Sequence, residues 1–278
     1  MCEFHDSRKL TNGINDVGKI VIALSLAAVV STSAAAGSRE VIKIDTRSGV
    51  TVEILIKQTN EATAALILLP GGAGYLDLSG TRINRDRGFI AANFDSFAAL
   101  GFTVAAVETP SDNAGGMQPR FRQTEAHLKD LEAAISHIKN ITKLPVWLIG
   151  ISRSTISVMH AAINSSVKIN GLVVLSSTTR LPPRAGVTRL TSLALDRIAV
   201  PALAIGHEHD GCRGTPPEGA RQLANGMTGS AKAVAKIFSG GGGNPGRNPC
   251  GPGSHHTFEG MQDEVVNFIA AFIKSNPG

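Results

Sequence analysis

The run Val146-Trp147-Leu148-Ile149-Gly150-Ile151-Ser152-Arg153-Ser154-Thr155 is an apolar segment that stops at a glycine, followed by a serine and then by residues of helical character. A strand–Gly-x-Ser–helix turn pushes a serine hydroxyl out of the backbone, where a base can reach it. An unassisted serine is a poor nucleophile; it becomes a useful one when a histidine takes its proton. The full elbow pattern reads G-x-S-x-G, and Ser154 stands at its last position. The close approach of backbone there asks for a small side chain, which serine supplies.

Three other stretches hold the parts such a serine needs. His207-Glu208-His209-Asp210 offers a carboxylate that would orient a histidine: Asp210, with Glu208 as the alternative. Ser254-His255-His256-Thr257-Phe258 offers the general base: His256, with His255 as the alternative. Pro70-Gly71-Gly72-Ala73-Gly74 is a loop whose backbone N–H groups, at Gly72 and Ala73, would stabilise an oxyanion together with the N–H of Arg153. A phosphate-binding loop competes with that reading, but neither G-x-x-x-x-G-K-[ST] nor G-x-G-x-x-G is present.

The same residues permit two other functions. His207, His209, Asp210 and His255 or His256 could ligate a metal in a metal-dependent hydrolase. That reading leaves the elbow and the glycine loop without a purpose. A non-catalytic binding protein on the same scaffold is the other, since fold does not dictate function. Several residues take the plainer reading. His127 and His160 lie on helical segments and read as structural, and Trp147 reads as core. Arg120 and Arg122 could steer an anionic substrate, but read as ordinary surface-loop arginines.

The elements that must position these residues follow from periodicity. Val41–Asp45 and Thr51–Lys57 flank the turn Arg47-Ser48-Gly49 and read as an antiparallel pair. Ala64–Leu69, Phe102–Val107, Val146–Ile149, Leu172–Leu175 and Ala202–Ile205 are short apolar runs, as buried parallel strands are, and Ala231–Phe238 reads as the last strand. Between them, Asn93–Leu100 reads as the end of a helix. Gln123–Lys139 is an amphipathic helix on Leu128, Leu131, Ala134, Ile135 and Ile138, and Thr155–Ile163 is a helix rich in small residues. Met261, Val265, Phe268, Ile269 and Phe272 give a final helix one apolar face. The alternation predicts an α/β fold with a mostly parallel, twisted sheet of about eight strands and helices on both faces. Sites in such sheets form at the carboxyl ends of strands, where all four stretches lie. Ser176 to Pro201 leaves room for one short helix and a small flap, so the lid is expected to be small or minimal and the site open.

An apolar content of 42% with 18% charged residues over 278 positions reads as globular. The net charge of +5 comes without basic runs interleaved with aromatics, so nucleic acid is not an expected partner. Arg8, Lys9 and Lys19 precede the apolar run Ile20–Val30, and Ala34 and Ala36 form an A-x-A site before Gly37. That pattern predicts a signal peptide over 1–36 and one domain over 37–278, exported to the periplasm or beyond, with no stable membrane span after its removal. Cys212 and Cys250 would remain as an even pair, a disulfide in an oxidising compartment or two buried thiols otherwise.

Leu68-Leu69-Pro70-Gly71-Gly72, Ala106-Val107-Glu108-Thr109-Pro110-Ser111-Asp112, Gly150-Ile151-Ser152-Arg153-Ser154 and His256-Thr257-Phe258-Glu259-Gly260, in that order, resemble the α/β-hydrolase superfamily, in particular an exported, esterase-like branch. The resemblance covers most of the chain after residue 37. It implies the α/β-hydrolase fold and a serine hydrolase with the triad Ser152, Asp210 and His256. It also implies a Cys212–Cys250 bridge joining the Asp and His loops. The expected substrate is a small carboxylic ester or related acyl compound, and neither cofactor nor metal is expected.

Overall fold

The computed structural model describes residues 36–84, 88–182, 185–243 and 248–277. The residues expected to form a signal peptide lie outside this range, apart from Ala36.

The first two strands, β1 (Ala36–Arg47) and β2 (Val50–Thr59), form the expected antiparallel pair. Then come β3 (Ala65–Leu69), a two-residue hairpin β4 (Leu78–Ser79) and β5 (Arg82–Ile83), α1 (Phe89–Ala99) and β6 (Thr103–Val107). The second half runs α2 (Glu125–Thr142), β7 (Val146–Ile151), α3 (Ser154–Asn164), β8 (Gly171–Leu175), β9 (Ala202–His207), α4 (Glu218–Gly226), β10 (Ala233–Phe238) and α5 (Gln262–Lys274).

The main sheet has eight strands in the order β1-β2-β6-β3-β7-β8-β9-β10, parallel from β6 onward. Alternate side chains of each strand feed two cores. Ile67 and Leu148 pack with α2, α3 and α4 on one face; Leu66, Leu68, Trp147 and Ile149 pack with α1 and α5 on the other. Central strands are therefore apolar on both faces, the cause of the uninterrupted runs in the sequence. At the far edge, β10 is only half-buried over most of its length, and Lys236 sits on it.

Two elements depart from expectation. The segment from Ser176 to Pro201 holds no α-helix among its described residues; it is tied down by two 3₁₀ turns, Leu190–Ser192 and Leu195–Arg197. The helix α4 was not expected. It is nine residues long and buries Gly219, Ala220, Leu223 and Ala224, too short and too small-sided to leave a clear period.

The turn joining β1 and β2 is anchored to α2 by Asp130, whose carboxylate accepts from Arg47 Nε at 2.8 Å, Arg47 Nη2 at 3.0 Å and Thr46 Oγ1 at 2.6 Å. Asp130 is buried, so this is a fully used carboxylate. The register β3–β7–β8–β9 sets Leu69 opposite Gly150, Ile151 opposite Leu175 and Leu175 opposite Ile205. The chain therefore leaves these four strands at one edge, beside one another.

Candidate active site

Ser152 occupies the turn between β7 and α3 with φ 57°, a conformation that costs a non-glycine residue energy and persists only when the surroundings impose it. The surroundings are specific. The Ser152 N–H donates to the Leu175 carbonyl at 2.9 Å, and the Ser152 carbonyl accepts from Thr155 Oγ1 at 2.6 Å. Gly150 lets the turn pack: a Cβ there would lie 2.7 Å from Val158 and 3.0 Å from Ser154 Oγ. Ser154 is fully buried. Its hydroxyl oxygen accepts from the Ile151 N–H at 2.8 Å, and its proton lies within reach of the carbonyls of Leu69 at 2.7 Å and Ile151 at 2.9 Å. The serine in the glycine position thus ties the elbow to the end of β3.

The loop after β9 and the loop before α5 meet beside this turn. Asp210 Oδ2 lies 2.9 Å from His256 Nδ1, with both side chains almost wholly buried. Thr215 Oγ1 donates to Asp210 Oδ2 at 2.8 Å, and the Cys212 N–H donates to Oδ1 at 2.9 Å. Asp210 is therefore held on both oxygens while facing the imidazole. The His256 carbonyl accepts from Ser176 Oγ at 2.9 Å, which fixes the backbone at His256 to the end of β8. Cys212 and Cys250 are joined by a disulfide, so the two loops are covalently linked.

The alternative residues are turned elsewhere. Glu208 lies 3.3 Å from His209, and both are exposed. His255 stacks on His207 with centroids 4.6 Å apart. His207 has both ring nitrogens engaged by backbone, Nε2 with the Gly240 carbonyl at 2.9 Å and Nδ1 with the His209 N–H at 3.0 Å. Burial lowers its pKa, and His255 and His209 add to that. Among the described residues, no group of three or more His, Cys, Asp or Glu side chains is arranged to hold a metal ion.

The glycine loop after β3 is closed by the Gly74 N–H donating to the Gly71 carbonyl at 2.9 Å. The Gly72 carbonyl accepts from Arg122 Nη2 at 3.2 Å, inside the protein. In a trans peptide the C=O and the following N–H point in opposite directions. The Ala73 N–H therefore faces away from the buried Arg122, and Ala73 lines the open cleft. Gly74, at φ +88°, leaves room for the guanidinium: a Cβ there would sit 2.5 Å from Arg122 Nη2.

Arg122 is not the surface arginine that the sequence suggests. It is 1% exposed, donates to Ser157 Oγ at 3.2 Å, and its Nε has no partner among the described residues. Burial, with Arg153 nearby, lowers its pKa to about 9, so it remains charged at neutral pH. Ser157 Oγ lies 2.9 Å from Nε2 of buried His127, whose pKa falls to about 3 through burial and then through the charge of Arg122. Glu108 braces the same loop from the end of β6, accepting from the N–H groups of Leu76 at 2.9 Å and Thr109 at 2.7 Å. No local sequence pattern marks Arg122, because its partners Ser157 and Gly72 are 35 and 50 residues away. Glu108 lies in a phrase the resemblance already contains.

Ser152, His256, Gly72, Ala73 and Arg153 line one cleft of about 1020 Å³. Its apolar lining includes Phe89, Ile151 and Leu181. The volume lies at the upper end of the usual range for small-molecule sites.

No protein-family model matches the chain, and no curated protein matches it in sequence. Solved structures do. Est1E from Butyrivibrio proteoclasticus superposes with a TM-score of 0.60 at 15% identity, covering 85% of this chain and 98% of that one. A dienelactone hydrolase from Anabaena variabilis gives 0.59 at 12% identity, covering 87% and 99%. An esterase from Pyrococcus furiosus gives 0.59 at 13% identity, covering 87% and 94%. The chain has the α/β-hydrolase fold.

Proposed function

We propose that the protein is an exported serine hydrolase that cleaves carboxylic esters through an acyl-enzyme. The observation that carries this reading is the buried Asp210–His256 pair, which opens on the same cleft as a serine held at positive φ on a strand–helix turn. That several solved structures of the same fold are esterases supports it.

His256 takes the proton of Ser152 as Oγ bonds to the acyl carbon. Asp210, on Nδ1, keeps the other nitrogen available and stabilises the imidazolium. The N–H groups of Ala73 and Arg153, with Gly72 shaping the loop, receive the oxyanion. The acyl C–O bond breaks, and the alcohol leaves with the proton from His256. Water then adds by the same route, releasing the carboxylic acid and restoring Ser152. The metal-dependent alternative has less support, since backbone groups occupy both nitrogens of His207.

Residues 1–36 as a signal peptide and 37–278 as the hydrolase domain belong to the same proposal. The disulfide supports an oxidising compartment. Among the described residues no helix is long and apolar enough to cross a membrane.

One experiment tests both parts: the protein recovered from the exported fraction is treated with a fluorophosphonate and weighed. A single adduct on Ser152, absent from Ser152→Ala and strongly slowed in His256→Ala, is expected on a chain that begins at Gly37. A folded, disulfide-intact protein that takes no adduct would overturn the serine mechanism. A chain that keeps residues 1–36 would overturn the leader.

A further inference from the structure

The Arg, Lys, Asp and Glu residues that line the cleft, among those described, are of one sign. Arg153, Arg180, Arg189 and Arg213 line it, and no Asp or Glu does among the described lining residues. Arg180 is paired with Glu218 at 3.1 Å, which leaves Arg153, Arg189 and Arg213 exposed and without an ion pair among the described residues. They reach the cleft from three separate elements. Arg153 follows the serine, Arg189 lies in the segment after β8, and Arg213 is next to Cys212, where the disulfide to Cys250 holds its loop. Like charges gathered at one cleft give it a positive potential that attracts an anion. Guanidinium groups meet a carboxylate through paired N–H donors, a geometry an ammonium does not offer.

We propose that the cleft takes a small ester carrying a carboxylate, held by Arg189 and Arg213, with Arg153 beside the reacting serine. This rests on the serine-hydrolase reading for the chemistry but not for the binding. The apolar surface of Phe89, Ile151 and Leu181 would cover the carbon chain between the ester and the anion. Exposed charge pairs are individually weak, so Arg189 and Arg213 acting together give roughly a tenfold preference.

The test compares mono-p-nitrophenyl adipate with p-nitrophenyl hexanoate, esters of equal chain length that differ in the distal carboxylate. It also measures binding of monomethyl adipate and methyl hexanoate to the Ser152→Ala protein by calorimetry. At about 20 mM salt the expected kcat/KM ratio favours the anionic ester roughly tenfold, and the ratio shrinks towards one at about 1 M salt. In Arg189→Gln/Arg213→Gln, checked for folding by circular dichroism, the ratio falls to about one. The binding ratio in Ser152→Ala follows the same course.

A ratio at or below one in the wild type, or one unchanged in the double variant, overturns the proposal. Should Ser152 label and anion preference be absent, this inference fails and the serine mechanism stands. Should labelling fail while the anion binds and is lost in the double variant, the reverse holds. Retention on phosphatidylserine vesicles without preference for the anionic ester also overturns it, and assigns the arginines to a surface contact.

Discussion

At the scale of single residues, the glycine loop of the cleft rests on a buried arginine. Arg122 holds the Gly72 carbonyl inward, and this turns the Ala73 N–H outward. The guanidinium also polarises that peptide, which would make Ala73 a better donor to the oxyanion of the proposed reaction. Arg122→Met should therefore lower kcat on an activated ester by about ten- to a hundredfold while leaving KM within about threefold, because one oxyanion donor loses its alignment. Arg122→Lys should recover part of the loss. An equal fall in kcat for Met and Lys, or a change confined to KM, would assign Arg122 to packing alone. Ser154 makes a related point. It occupies the place of a pattern glycine, yet its hydroxyl accepts from the Ile151 N–H and has the carbonyls of Leu69 and Ile151 within reach of its one proton.

At the scale of elements, each part of the site rides on a strand end, but strand pairing does not reach into the loops beyond. The loop carrying Asp210 and the loop carrying His256 leave different strands, and the Cys212–Cys250 bridge joins them across 38 positions of sequence. Closing a loop of that length is worth up to about 4 kcal/mol on the chain-entropy view. Cys212→Ser/Cys250→Ser should unfold at lower denaturant by an amount on that order or less, and should lose activity at temperatures where the fold itself survives. Retained activity across the whole folded range would show that the hydrogen bonds from Thr215, Cys212 and Ser176 hold the loops without the bridge. The short helix α4 and the 3₁₀ turns before β9 belong to this scale as well. Their apolar residues are few, and packing against the sheet, rather than propensity, decides their form.

At the scale of the whole molecule, a buried neutral histidine sets a stability limit on the acid side. His127 has its pKa lowered from 6.5 to about 3, first by burial and then by Arg122, with His160 and Arg47 adding to it. In the unfolded chain the same group protonates near 6.5. The unfolded state thus binds the extra proton between those values, and stability falls as pH drops from 6.5 towards 3, by up to about 1.4 kcal/mol per unit. The carboxyls of Asp95, Asp112 and Glu132, held below their ordinary range, lose their contributions at lower pH. Urea unfolding of the wild type and His127→Gln between about pH 4.5 and 7 separates the two, since only the first slope should flatten in the variant. Equal slopes would mean that His127 protonates inside the fold.

The sequence by itself determined a mostly parallel sheet of about eight strands and which of its strand ends Ser152, Asp210 and His256 follow or precede. Those features are written in short-range signals: apolar runs of strand length, glycines at turns, and polar residues just beyond them. It left Asp210 and Glu208, and His256 and His255, as neighbours to choose between, because adjacent side chains on a loop differ only in direction. Tertiary structure sets Asp210 against His256 and turns Glu208 to His209 and His255 to His207. It also decided that Arg122 is core and not surface, and that three arginines from separate elements face one cleft. The physical reason is the same in each case. Burial, charge convergence and side-chain direction arise from contacts between residues far apart in the chain, and no window of sequence contains both partners.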